Sequence, residues 1–170
     1  MDSFADPVKN ISHLHLRAGA TVADLGAGSG HYAFAIGEKL KNMDGRGRVY
    51  AIDVQKHFME RIKQEATRRG LGNVEVLWGD IEVHGGTKLA DNICDAVVIS
   101  NVLFQSQDKT GLVKEASRIL KPGGEVLIID WKDKGVTPDA ILSVASETRL
   151  SKLEEFDAGS HHWGLLLRKM

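Results

Sequence analysis

The 170-residue sequence has a single cysteine, Cys94, only three prolines and 6% aromatic residues. One cysteine forms no internal disulfide, so the chain is not a disulfide framework and suits a reducing compartment. An excess of either charge is missing as well: 22 Lys and Arg stand against 23 Asp and Glu, a formal net charge of -1. No global field holds such a chain on nucleic acid, and a nucleic-acid role would need a local patch. No apolar run reaches membrane length, and the opening MDSFADPVKN lacks a basic start followed by an apolar block. The expectation is a soluble, cytoplasmic protein with no membrane partner. Internal repeats and low-complexity segments are also missing.

At 42% hydrophobic residues the chain can bury a core without metals or disulfides. One domain is expected over 1–170, with a helical lead-in over 1–20, a core over 21–131, and a C-terminal helix with closing strands over 132–170. Short apolar runs alternate with helical patterns, as in an α/β doubly wound sheet, mostly parallel and covered by helices on both faces. The runs predict strands at 21–26, 49–54, 74–80, 95–100 and 125–130. Phe58, Ile62 and Ala66 recur at helical spacing, as do Leu112, Ala116 and Leu120, and Lys-Pro-Gly-Gly at 121–124 ends the second of these helices in a turn. A short helix near 137–149 and two strands, 153–157 and 163–168, complete the pattern.

The most informative stretch is VADLGAGSG, residues 22–30, a strand that breaks into Gly26, Gly28 and Gly30 before a helix. Glycine tolerates positive φ and has no Cβ to hold a ligand off the backbone, so the loop is built for close approach. Its G-x-G-x-G spacing, with Asp24 just ahead, differs from the G-x-G-x-x-G of a dinucleotide site and suits an amino-bearing cation better than a diphosphate.

Asp24 with GAGSG resembles motif I of the class I S-adenosylmethionine-dependent methyltransferases, and later segments follow that family in order. VYAIDV (49–54) is similar to its second strand, WGD (78–80) with Ile81 to its adenine-binding turn, CDAVVISNVLF (94–104) to its fourth strand, and LKPGGEVLIIDW (120–131) to its fifth. The nearest group by resemblance is the ubiquinone/menaquinone-biosynthesis type. The resemblance implies a Rossmann-like seven-stranded sheet closed by an antiparallel C-terminal hairpin, S-adenosylmethionine as cofactor, and a methyl acceptor as partner.

In a doubly wound sheet, ligands bind beyond the carboxyl ends of the strands where the strand order reverses. That rule gathers distant residues onto one rim. Gly26, Ala27, Gly28 and Gly30 are expected to cradle the cofactor, with Asp24 on its methionine ammonium. Asp53, 23 residues after Gly30, is placed on the ribose hydroxyls, and Val54 against adenine. Gly79, Asp80 and Ile81 complete the adenine turn, Ser100 lies below the reactive methyl, and Tyr32, beside His31, opens the first helix as either a plain first-turn residue or a ligand contact. Asn101, Asp130 and His162 are the catalytic candidates, Asn101 with Trp131 to orient the acceptor and Asp130 or His162 as an optional base. Phe104 and Trp131 would exclude water.

Other signals read as structural. His161 and His162 are adjacent in a strand and point to opposite faces, so no metal is expected there. The basic run Arg61, Lys63, Arg68, Arg69 is interleaved with acids and reads as a solvated face rather than an RNA-binding patch. Cys94 falls at the wrong end of its strand for a nucleophile and reads as a small buried hydrophobe. The Asn-Pro-Pro-Tyr-like turn of amide methyltransferases, the acids of the magnesium-dependent catechol type and the several thiols of arsenite methylation are all missing. A small or medium-sized acceptor is the leading expectation. An RNA or protein acceptor, and a non-catalytic cofactor-binding scaffold, stand as alternatives.

Overall fold

The alternating pattern resolves, in a computed structural model that describes residues 5–170, into one seven-stranded sheet between two helical layers. The first four residues of the expected lead-in lie outside the described residues. In chain order the elements are α1 (Pro7–Ile11), β1 (Thr21–Leu25), α2 (His31–Met43), β2 (Arg48–Asp53), α3 (Lys56–Arg68), β3 (Val74–Trp78), β4 (Cys94–Ser100), α4 (Lys109–Ile119), β5 (Leu120–Trp131), α5 (Pro138–Ala145), β6 (Leu150–Gly159) and β7 (His162–Lys169). The strand order is β3-β2-β1-β4-β5-β7-β6; the first five are parallel, and β7 runs antiparallel between β5 and β6. The order reverses between β1 and β4, and the cleft opens above that point.

Alternation along the strands feeds two cores. Ala23 and Leu25 of β1 join Ile99, Leu112, Ile128 and Trp163 on the α4–α5 side, while Val22 joins Phe34, Ile36, Ile62, Val98 and Leu127 on the α2–α3 side. Each fully buried large side chain contributes roughly 1.5–3 kcal/mol, so the central strands form the rigid floor on which loops can be positioned. The edge strand β3 is only half covered, as its sequence VEVLW allows.

Helix starts follow local chemistry. Asp6 caps α1 through Val8 and Lys9 N–H ahead of Pro7, Asp108 caps α4 through Gly111 N–H at 2.8 Å, and Thr137 caps α5 ahead of Pro138. By contrast, α2 starts at Gly30 with φ +87° and no side-chain cap, leaving its first-turn N–H groups for another acceptor. The lead-in is fastened to the body by Asn10, which donates to the Tyr32 hydroxyl at 3.1 Å, and by His13, stacked on Phe156 at 3.6 Å.

Several boundaries differ from the sequence expectation. Leu120 caps the end of α4 and also opens β5 opposite Cys94; Ala96 then faces Glu125, so Lys-Pro-Gly-Gly loops out of a continuing strand. The turn is there, but it is a bulge. β6 begins at Leu150 rather than 153, with irregularities at Lys152/Glu154 and Asp157/Gly159. As an edge strand it is mostly solvated, so its sequence has no clean alternation to read.

Candidate active site

The carboxyl ends of β1, β2, β3 and β4 surround a cleft of about 1100 Å³. Its floor is the turn after β1, where Gly26 and Ala27 N–H both donate to the Ile52 carbonyl, at 2.8 and 3.0 Å, tying the loop to β2. Gly28, at φ +53°, has open space where a Cβ would project, so the backbone is bare toward the cleft. Gly30 does not line the cleft. A Cβ there would meet the Phe34 ring at 2.8 Å and Ile62 at 3.0 Å, so this glycine serves the packing of α2 onto α3.

Two acids stand at the strand ends beside this loop. Asp53 accepts the N–H of Gly28 at 3.0 Å and of Gln55 at 2.9 Å. Asp24 is 2% exposed, and its Oδ2 has no hydrogen-bond partner among the described residues. Burial, opposed by the Ala33 N–H and reinforced by the Asp53 charge, pushes its carboxyl up to about 7. A buried carboxylate oxygen with no donor is costly unless a ligand supplies one.

Val54 and Ile81 form apolar walls, with Gly79 held to the Asp53 carbonyl at 3.2 Å and Asp80 accepting the Glu82 N–H at 3.0 Å. On the far side lie Tyr32, whose hydroxyl burial makes harder to ionise, Ser100, and Asn101, which adopts φ +57° with its Oδ1 unpartnered. Asparagine tolerates that left-handed conformation better than most residues.

Asp130 and His162 lie outside the cleft lining. Alternation along β5 turns Asp130 to the face opposite Trp131, where its carboxylate accepts Leu103 N–H at 3.0 Å and Trp131 N–H at 2.8 Å. It is fully buried, and burial raises its pKa. His162 is fully buried against Trp131, ring centroids 4.1 Å apart, with neither ring nitrogen partnered among the described residues; burial and then His161 lower its pKa. Phe104 packs beneath the rim rather than into the cleft. Cys94 is buried at the opposite end of β4, its thiol pushed up to about 12 by burial. Among the described residues no group of three or more His, Cys, Asp or Glu side chains could hold a metal ion.

Sequence reasoning missed five contributors. Asp6 and Pro7 of the lead-in form one wall, and Gln105 and Gln107 line another. Glu82 fixes that second wall, accepting the Ser106 hydroxyl at 2.5 Å and the N–H groups of Gln107 and Asp108 at 3.1 and 3.2 Å. Asp-Pro as a helix start was a readable signal for α1; nothing local in the sequence points Glu82 toward residues 24–26 positions away.

Residues 16–164 match the methyltransferase domain family. The chain is 33% identical over 116 residues to an arsenite methyltransferase of Aquipseudomonas alcaligenes, covering 66% of this chain and 33% of that protein. It is 30% identical over 132 residues to a ubiquinone/menaquinone biosynthesis C-methyltransferase of Francisella philomiragia, covering 76% of this chain and 50% of the relative. The chain thus spans half or less of the length of these two relatives. A solved S-adenosylmethionine-dependent methyltransferase from Aquifex aeolicus superposes with a TM-score of 0.81 at 26% identity, over 97% of this chain and 90% of that one. Strand order, glycine turn and family match agree, and the chain belongs to the methyltransferase domain family, in its class I S-adenosylmethionine-dependent form.

Proposed function

We propose that this chain, working as a single domain in the cytoplasm, transfers the methyl group of S-adenosylmethionine to a small-molecule acceptor. The observation that carries the reading is the unpartnered, buried Oδ2 of Asp24 beside the bare Gly28 backbone. An ammonium group satisfies that oxygen. Asp53 holds the ribose hydroxyls with the acceptor capacity its two N–H bonds leave free, and the uncapped first turn of α2 takes the carboxylate. Val54 and Ile81 flank the adenine, and Gly79 lets the chain turn beneath it while Asp80 accepts from its amino group. Gly26 and Ala27 set the loop, and Gly30 keeps α2 close enough for it to work.

The bound cofactor supplies an already activated methyl group on a sulfonium centre. The chain's own task is alignment, an effect that reaches effective molarities of about 10⁵ M or more. Tyr32, Ser100 and Asn101 orient the acceptor at the end of β4. Asp130 acts at one remove: by holding the Leu103 and Trp131 N–H groups it fixes the turn that presents Asn101. His162 supports Trp131 by ring contact. The small-acceptor reading is supported by the wall that Asp6 and Pro7 add over the cleft, pinned through Asn10 and Tyr32. With Cys94 buried and alone, no thiol set for arsenite is present in this chain.

The test pairs calorimetric titration with S-adenosylhomocysteine and tritiated methyl transfer into fractionated cell extract. Binding with label in a small-molecule fraction is the expected result. Binding without any transfer would convert the reading to a scaffold, and label in RNA or protein would replace the acceptor class.

A further inference from the structure

The cleft carries charge of one sign. Asp6, Asp24, Asp53, Asp80 and Glu82 all line it, and among the described residues no lysine or arginine does. Each of these carboxylates accepts main-chain N–H groups: Asp6 those of Val8 and Lys9, Asp24 that of Ala33, Asp53 those of Gly28 and Gln55, Asp80 that of Glu82, and Glu82 those of Gln107 and Asp108. Such bonds fix the positions of these side chains around the cleft. The unpartnered polar atoms facing this space, Asp24 Oδ2 and Asn101 Oδ1, are acceptors too. Lys109, a nearby cation, is held on the Ser106 carbonyl at 2.9 Å and does not line the cleft.

The cations lie elsewhere. Lys41, Arg46 and Arg48 surround a depression at the amino end of β2, and Lys121 with Arg168 borders another at the amino end of β5. Lysine and arginine thus line those depressions, where Glu75, Asp95 and Glu125 accompany them, and not the cleft. A concave, partly desolvated surface of one sign focuses its field and concentrates ligands of the opposite sign.

We propose that the acceptor carries no net negative charge: it is an amine or an uncharged hydroxyl compound that presents a hydrogen-bond donor to Asn101, and phosphorylated, carboxylated and nucleic-acid acceptors are turned away. This specificity rests on the methyltransferase reading above. In the transfer, the acceptor's nitrogen or oxygen lone pair forms the new bond to carbon while the carbon–sulfur bond breaks toward sulfur. S-adenosylhomocysteine leaves, and the acceptor's proton passes to solvent. The sulfonium charge is carried away as that proton, so the acids attract the charged cofactor more than the spent one. An anionic acceptor would meet Asp6, Asp53, Asp80 and Glu82, whose charges the cofactor's ammonium on Asp24 does not offset.

The experiment measures the potential directly. On protein saturated with S-adenosylhomocysteine, the amide protons of Gln105 and Gln107 are relaxed in turn by nitroxides that differ in carrying an ammonium, a hydroxyl or a carboxylate group. The expected result is severalfold stronger relaxation by the ammonium probe than by the carboxylate probe, and equal or reversed effects overturn the proposal. Ion exchange of the tritiated extract gives a second arm. Label in neutral or cationic compounds supports the inference, whereas label retained on anion exchanger, or released by phosphatase or ribonuclease, overturns it. Should S-adenosylhomocysteine fail to bind in calorimetry, the function reading falls by itself, and the nitroxide comparison on the free protein still decides the charge of the cleft.

Discussion

The Gly28 N–H donates to the Asp53 carboxylate across 3.0 Å, joining the glycine turn after β1 to the acid that ends β2. A residue read from sequence as a ligand contact is therefore a strut of the glycine turn itself. Its second oxygen accepts the Gln55 N–H at the start of α3.

Asp53→Ala is expected to lower S-adenosylhomocysteine affinity about 10- to 100-fold, the cost of losing hydrogen bonds to a charged group. It also frees two main-chain donors, so the free protein should lose about 1–2 kcal/mol in urea unfolding. Unchanged affinity by calorimetry would remove Asp53 from the ribose.

Asp24 sets a pH dependence. With its carboxyl pushed up to about 7 from an ordinary 3.8, the folded protein holds this proton more tightly than the unfolded chain. Stability from this group is therefore greatest at low pH and is lost as pH rises through about 7. Cofactor binding needs the ionised form, so affinity should fall up to tenfold per unit as pH drops below 7. Asp24→Asn should bind poorly at every pH yet unfold at higher urea than the unmodified chain at pH 8, by about 1–3 kcal/mol. A flat affinity profile from pH 5.5 to 8 would contradict the ammonium assignment.

Gly28 and Gly30 should fail differently. A methyl group at Gly28 meets nothing nearer than the Gly26 carbonyl oxygen at 4.0 Å, so Gly28→Ala costs about 1–2 kcal/mol for its positive φ and chiefly blocks the ligand. At Gly30 the same group strikes Phe34 and Ile62, and Gly30→Ala should lower the melting temperature more while placing no side chain in the cleft. Parallel thermal melts and titrations separate the two.

Glu115 holds the loop that follows Gly79, Asp80 and Ile81. Its burial opposes ionisation, but the Arg118 guanidinium at 2.7 Å, the Thr87 hydroxyl at 2.7 Å and the N–H groups of Gly85 and Thr87 outweigh it and bring the carboxyl down to about 2. The stability this confers is present above pH 4.5 and is lost as pH falls through about 2. Glu115→Gln leaves Arg118 half-buried with Asp91 as its remaining ion partner, and a loss of about 3–5 kcal/mol is expected in urea unfolding at pH 7. A loss below 1 kcal/mol would show that the network is dispensable.

Much of the site was legible because its signals are local. Asp24 precedes three glycines, Asp53 ends an apolar run, and Gly79-Asp80-Ile81 follows another; the carboxyl-end rule then places all of them on one rim. Asp130 was legible as a rim residue but not as a strut, because its facing depends on the alternation of β5 and on where Leu103 comes to lie. β6 was misread at its start because a solvated edge strand has no buried face to impose a pattern.

By itself the sequence determined the strands, the glycine turn and the acids at the strand ends, since steric permission at glycine and apolar alternation act between near neighbours in the chain. Only the tertiary structure decided that Asp24 Oδ2 is left without a partner among the described residues, that Asp6 and Glu82 join the same cleft, and that Asp130 and His162 stand behind it. Those outcomes depend on which distant segments exclude water from a group and which supply its hydrogen bonds, and packing alone fixes both.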